Sequence, residues 1–143
     1  MPRGQRQDNK SEPTPLVSEE VELVIYAALL SAWMGCLLWS SLASNLPPVP
    51  RIFAWDKLLH FFAYAILMFF SGNFFKLLLK KRLRGLIIGF TLTLGFGLLM
   101  EIGQQTLSTS RHADWKDLVA NSLGAGLILA IALLSKEKRS QFY

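Results

Sequence analysis

Four long apolar runs, separated by short charged clusters, constrain this chain more than any other feature of its sequence. They lie at about 22–42, 58–75, 83–100 and 118–134. Each is about 17–21 residues, the length a helix needs to cross roughly 30 Å of hydrocarbon. Helices close their backbone hydrogen bonds internally, which makes them the natural spanning element. The chain has 143 residues, 52% of them hydrophobic, with mean hydropathy +0.35. Four soluble core helices of such apolarity would leave too little polar surface to dissolve. The expected fold is therefore all-α: a polytopic membrane four-helix bundle with helices over about 22–42, 58–75, 83–101 and 117–135. These form one domain over 18–135, between polar tails at 1–17 and 136–143. The first tail is rich in Gln, Asp, Asn, Ser, Glu and Pro and reads as disordered. It is too long, and the run after it too extended, for a cleaved signal peptide.

The formal charge of +5 could point to nucleic acid, but the basic residues flank apolar runs. Arg3, Arg6 and Lys10 precede the first run. Lys76, Lys80, Lys81, Arg82 and Arg84 lie between the second and third, and Lys136, Lys138 and Arg139 follow the fourth. Thus eleven of the fifteen Lys and Arg fall on one side; Arg51, Lys57, Arg111 and Lys116 fall on the other. The positive-inside rule then predicts both termini in the cytoplasm of a multi-pass protein of the plasma (inner) membrane. The cluster from Lys76 to Arg84 sets orientation and can attract anionic lipid. Trp39, Trp55 and Trp115 fall at the outer interface, where indole rings anchor. The proline-rich link at 45–50 reads as stiff and extended. Gly85, Gly89, Gly95, Gly97, Gly124 and Gly126 predict close helix packing. Cys36, the single cysteine, sits mid-run and reads as a small buried residue, because Trp33 and Met34 are too bulky for a lipoprotein signal. No internal repeat is visible.

Polar residues gather at the outer level. Asp56, Lys57 and His60 open the second helix; Glu101, Gln104 and Gln105 close the third; Asp114, Asp117 and Asn121 open the fourth. Asp56, His60 and Tyr64 share one helical face, and Asp114, Asp117, Asn121 and Gly124 form another stripe. Charged groups in spanning helices are costly and face a bundle interior or a water-filled cavity. Three readings fit. In a structural clamp, His60 and Lys57 pair with Glu101 and Asp117. A ligand site can be built on that clamp. In an enzyme, His60 acts as general base oriented by Asp56, or His60, Glu101, Asp114 and Asp117 hold a divalent metal. No zinc-protease or serine-hydrolase signature is present. The preferred reading assigns no metal and no cofactor.

Three segments together carry a resemblance. They are Asp56-Lys57-Leu58-Leu59-His60-Phe61, Glu101-Ile102-Gly103-Gln104-Gln105, and the stretch from Arg111-His112-Ala113-Asp114 through Asp117 and Asn121 to Gly124. In order and spacing they resemble the VanZ-like membrane protein family, over about 51–134. One departure is Ser108-Thr109-Ser110, where relatives often have a proline. The resemblance implies a small multi-helix protein of the cell envelope. The family's namesake is associated with low-level teicoplanin resistance, and relatives occur beside exopolysaccharide machinery; no settled biochemical activity is implied. The expected function is binding of a lipid-linked envelope intermediate or glycopeptide-like ligand at the outer cluster. Arg111, Lys57 and Arg51 would contact phosphate, because basic side chains, Arg above all, make charge-assisted bonds to it. Glu101, Gln104 and Asn121 would position sugar or amide groups. The expected partners are membrane lipids, with no nucleic acid. A membrane enzyme and a non-catalytic assembly subunit of polysaccharide machinery are the alternatives.

Overall fold

Ser18 starts the first helix as a cap: its hydroxyl accepts from the Val21 amide at 3.4 Å and its carbonyl from Glu22 at 3.1 Å. Glu19, Glu20 and Glu22 then place negative charge on the first turn, where the helix dipole favours it. This helix, α1, runs Glu19–Leu42. In the computed structural model, which describes residues 18–42, 55–107 and 114–135, it is followed by α2 (Trp55–Leu79), α3 (Arg82–Leu107) and α4 (Trp115–Leu134). All four are long and apolar enough to cross a membrane, and no strand occurs among the described residues. The N-terminal tail, the proline-rich link, Arg51, Arg111, His112 and the C-terminal tail lie outside the described residues.

The helices outrun the apolar runs. α2 continues through Lys76 to Leu79, and α3 ends at Leu107 rather than 101. Apolarity records the hydrocarbon thickness, whereas a helix closes its backbone hydrogen bonds internally and can continue beyond it. The α2–α3 reversal is correspondingly short. Lys80 adopts the left-handed region with φ 49°, and its amide returns to the Leu77 carbonyl at 3.3 Å. A non-glycine residue there accepts a modest steric cost to turn the chain quickly.

α2 is the central element, packed against all three other helices, while α1 and α4 do not touch. α3 and α1 run antiparallel to α2, and α4 runs parallel to it. Close backbone approach makes this possible. A Cβ on Gly89 would sit 2.7 Å from the Gly72 nitrogen, and one on Gly124 would fall on the Phe61 carbonyl oxygen. With no hydrophobic drive between helices in lipid, such contacts carry association through dispersion. Gly95 and Gly126, expected to serve likewise, have nothing within 4 Å. They lie on helix faces turned away from neighbours.

Two apolar clusters fill the interior. Leu30 packs with Tyr64 and Leu67 beside Trp33, Met34 and Leu37 of α1. Met68, Leu86 and Ala125 form the second, with Phe90 and Ile128. A polar knot sits between them: Ser71 Oγ lies 3.0 Å from Thr93 Oγ1, and both reach the Gly89 carbonyl, at 3.1 and 2.8 Å. α1 is held more lightly, through one stripe and the Trp33 indole donating to the Ala63 carbonyl at 3.0 Å. Cys36 is exposed on its outward face, not buried as its position in the run suggested, because only that stripe meets the bundle. Val24, Leu99 and Leu123 are each more than half exposed; an apolar exterior of this kind needs lipid around it.

Candidate functional site

The antiparallel arrangement brings the end of α1, the start of α2, the end of α3 and the start of α4 to one level, which carries the polar cluster. Its hub is Asp114, the N-cap of α4. Oδ1 accepts from the Lys116 amide at 2.9 Å, Oδ2 accepts from Lys57 Nζ at 2.8 Å, and the Asp114 amide donates to Glu101 Oε2 at 3.2 Å. One residue thereby ties α4 to both α2 and α3. Lys57 holds Asp114's carboxyl below the ordinary carboxylate value by that hydrogen bond, reinforced by the Lys116 amide.

Lys57 also donates to Asp117 and, at 3.4 Å, to Asp56. Its ammonium is shared among three carboxylates, of which Asp117 is buried and Asp56 exposed. His60 stands one turn deeper. Nδ1 lies 3.1 Å from Asn121 Oδ1 and so carries the proton of that bond. Nε2 faces Asp117 at 3.7 Å and Asp56 at 4.0 Å. Asn121 is 1% exposed and borders Gly97 and Tyr64. The two stripes read from periodicity meet: Asp56 and His60 on α2 face Asp117 and Asn121 on α4.

The pairing differs from the expected clamp in one respect. Glu101, 8% exposed, bonds the Asp114 backbone and not Lys57 or His60. Lys57 is consumed by the aspartates, so the expected phosphate contact at Lys57 has no free donor to build on. Gln104 turns instead to α1, donating to Ser41 Oγ at 2.6 Å. Gln105 is exposed and away from the cluster. Adjacent residues on a helix point about 100° apart, so Gln104 and Gln105 cannot both face inward.

Asp56, His60 and Asp117 bring three ligand atoms within 4.8 Å of one another, a metal-like grouping. Lys57 contacts both carboxylates of that group, however, and already supplies the cation. Beside it lies a cavity of about 220 Å³ between α1, α2 and α3. Asp56, His60, Glu101 and Gln104 line it together with the apolar Leu37 and Met100. Ser41, at its wall, was missed in the sequence because a serine at the end of an apolar run carries no signal by itself. Such a cavity offers acceptors to a donor-rich polar group and an apolar wall to whatever that group is attached to.

A family model described as VanZ/LLP1 matches residues 2–136. No curated protein and no solved structure matches.

Proposed function

The chain belongs to the VanZ/LLP1 family, and on that premise we propose a multi-pass protein of the cell envelope that binds a lipid-linked glycan or glycopeptide-like ligand at its polar end. The observation that carries this reading is the largely apolar cavity that His60, Glu101 and Gln104 supply with polar groups. Glu101 spends one hydrogen bond on the Asp114 amide, and a carboxylate has about four acceptor sites. Sugar hydroxyls, amide N–H groups and amines are the donors that match it. The Asp56–Lys57–Asp114–Asp117 network is the scaffold that holds this acceptor set in place, and Asn121 orients His60. The distribution of Lys and Arg supports the plasma membrane, with the polar end outward. A contribution to teicoplanin resistance is one consequence of such binding.

The test is titration of the purified full chain with two probes: a short-chain polyprenyl-pyrophosphate disaccharide-pentapeptide, and teicoplanin. Wild type binds at least one of them. Glu101→Gln keeps an acceptor for the Asp114 amide but loses the charge, and weakens binding about tenfold or more, as expected for a charge-assisted bond. Equal binding by the folded variant rejects the cavity as the site. No binding of either probe by wild type favours a purely structural clamp, or an assembly subunit.

A further inference from the structure

Tyr64 stands one turn deeper than His60 on α2 and lines the same cavity. Only 3% of it is exposed, yet its hydroxyl makes no hydrogen bond among the described residues. No fully enclosed polar side-chain atom among these residues lacks a partner, so this hydroxyl is not sealed in protein and opens into the cavity. A buried phenol ordinarily finds a partner, because its O–H is costly to leave unmade. We propose that the cavity recognises the acetamido group of an N-acetylated amino sugar, which rests on the reading of the polar end as a site for a lipid-linked glycan. Tyr64 donates to the carbonyl oxygen, Glu101 accepts from the amide N–H, and the methyl group lies on Leu37, Ala63 and Met100.

The two polar groups stand side by side. The Tyr64 ring lies against Gly97, where a Cβ would be 2.9 Å from its Cε1, and Glu101 follows one turn outward on the same face of α3. The phenol is near enough to feel the Glu101 charge. Oε2 of Glu101 is engaged by the Asp114 amide, and Oε1 has no partner among the described residues. The pair therefore asks a ligand for one acceptor, to take the phenol proton, and one donor, to meet the carboxylate. An ammonium brings donors only and leaves the phenol proton unpaired. A carboxylate brings acceptors only and meets Glu101 as a like charge. A secondary amide supplies both. A sugar hydroxyl also supplies both, but it carries a ring whose other hydroxyls a largely apolar cavity leaves unpaired. An acetamido arm reaches inward from its ring, so the ring hydroxyls stay at the level of the exposed Asp56, two turns above Tyr64. Its methyl group then gains from leaving water for the apolar side chains.

The full chain in phosphatidylcholine nanodiscs is titrated calorimetrically with hexyl N-acetyl-β-glucosaminide and with counterparts that carry a hydroxyl or an amine in place of the acetamido group. Wild type prefers the acetamido probe to both by about tenfold or more. Tyr64→Phe removes only the hydroxyl and lowers that preference about fivefold. The same variant unfolds with wild type in mixed micelles, since it loses no bond within the protein. An N-acetylalanine hexyl amide, which offers the acetamide without the ring, binds more weakly than the sugar; equal binding would overturn the sugar as the source of the group. Equal affinities for the three sugar probes, or an unchanged preference in Tyr64→Phe, overturn the proposal. So does a destabilised Tyr64→Phe, whose hydroxyl would then be spent inside the protein. If teicoplanin or the pyrophosphate probe binds but no acetamido preference appears, the glycan or glycopeptide reading stands and the acetamido site falls. An acetamido preference in a protein that binds neither larger ligand keeps the site and removes the lipid-linked assignment.

Discussion

Replacing Gly124 by alanine adds a methyl group where α4 lies directly on α2. The new Cβ falls on the carbonyl oxygen of Phe61, with the Phe61 carbonyl carbon 2.9 Å and its Cα 3.1 Å away. All three are backbone atoms, and a helical carbonyl cannot swing aside without forfeiting its own hydrogen bond. Relief therefore requires α4 to withdraw by on the order of 1 Å along this seam. Overpacking a tight interface costs about 3 kcal/mol at the severe end. Alanine's better helix propensity returns about 1 kcal/mol. The net destabilisation is then about 2 kcal/mol, or roughly thirtyfold in the unfolding equilibrium. The assay is unfolding of the purified protein in mixed micelles, followed by helical circular dichroism. Gly126→Ala, on the same helix with nothing within 4 Å, is the control and should be neutral or slightly stabilising. The same withdrawal moves Asp117 and Asn121 away from Lys57 and His60, so Gly124→Ala should also weaken the ligand binding proposed for the polar end. Coincident unfolding curves for Gly124→Ala and Gly126→Ala would refute the reasoning, because the α2–α4 seam would then be looser than described.

Lys57→Met strips the shared cation from three carboxylates, one of them the buried Asp117. It should destabilise by about 3 kcal/mol in the same assay. Lys57→Met combined with Asp117→Leu should recover more than half of that loss, since the stranded buried charge is gone; no recovery would assign the loss to packing. Acid should act through Asp114. Its folded carboxyl lies below the ordinary value of 3.8, so the unfolded chain binds the proton first. Its contribution to stability is complete above that value and is lost as pH falls through the lowered folded one. Asp114→Asn keeps an N-cap oxygen but removes the charge. Compared over pH 6 to 2, wild type should hold an advantage over it that disappears only below about pH 4; an advantage independent of pH would count against the Lys57–Asp114 pair as its source.

Much of the architecture is legible along the chain. Hydropathy and charge are properties of local composition, so four spans and a single polar level follow from the apolar runs and the clusters between them. Periodicity carries further. Residues three and four apart share a face, which places Asp56 with His60, and Asp117 with Asn121 and Gly124, before any neighbour is known. What periodicity leaves undetermined is the azimuth of each helix, meaning which neighbour a given face meets. That depends on backbone contacts between segments far apart in sequence, such as Gly89 on Gly72 and Gly124 on Phe61. Only the tertiary structure therefore turns Gln104 toward Ser41 and leaves Gln105 outside. It also gives Glu101 the Asp114 amide in place of a cation, and fastens Arg82 to the last carbonyls of α4. The sequence determined that this is a membrane bundle with a polar end. Its packing decided which of those polar groups are spent on one another and which still face a cavity, because hydrogen-bond partners are chosen by distance in space and not along the chain.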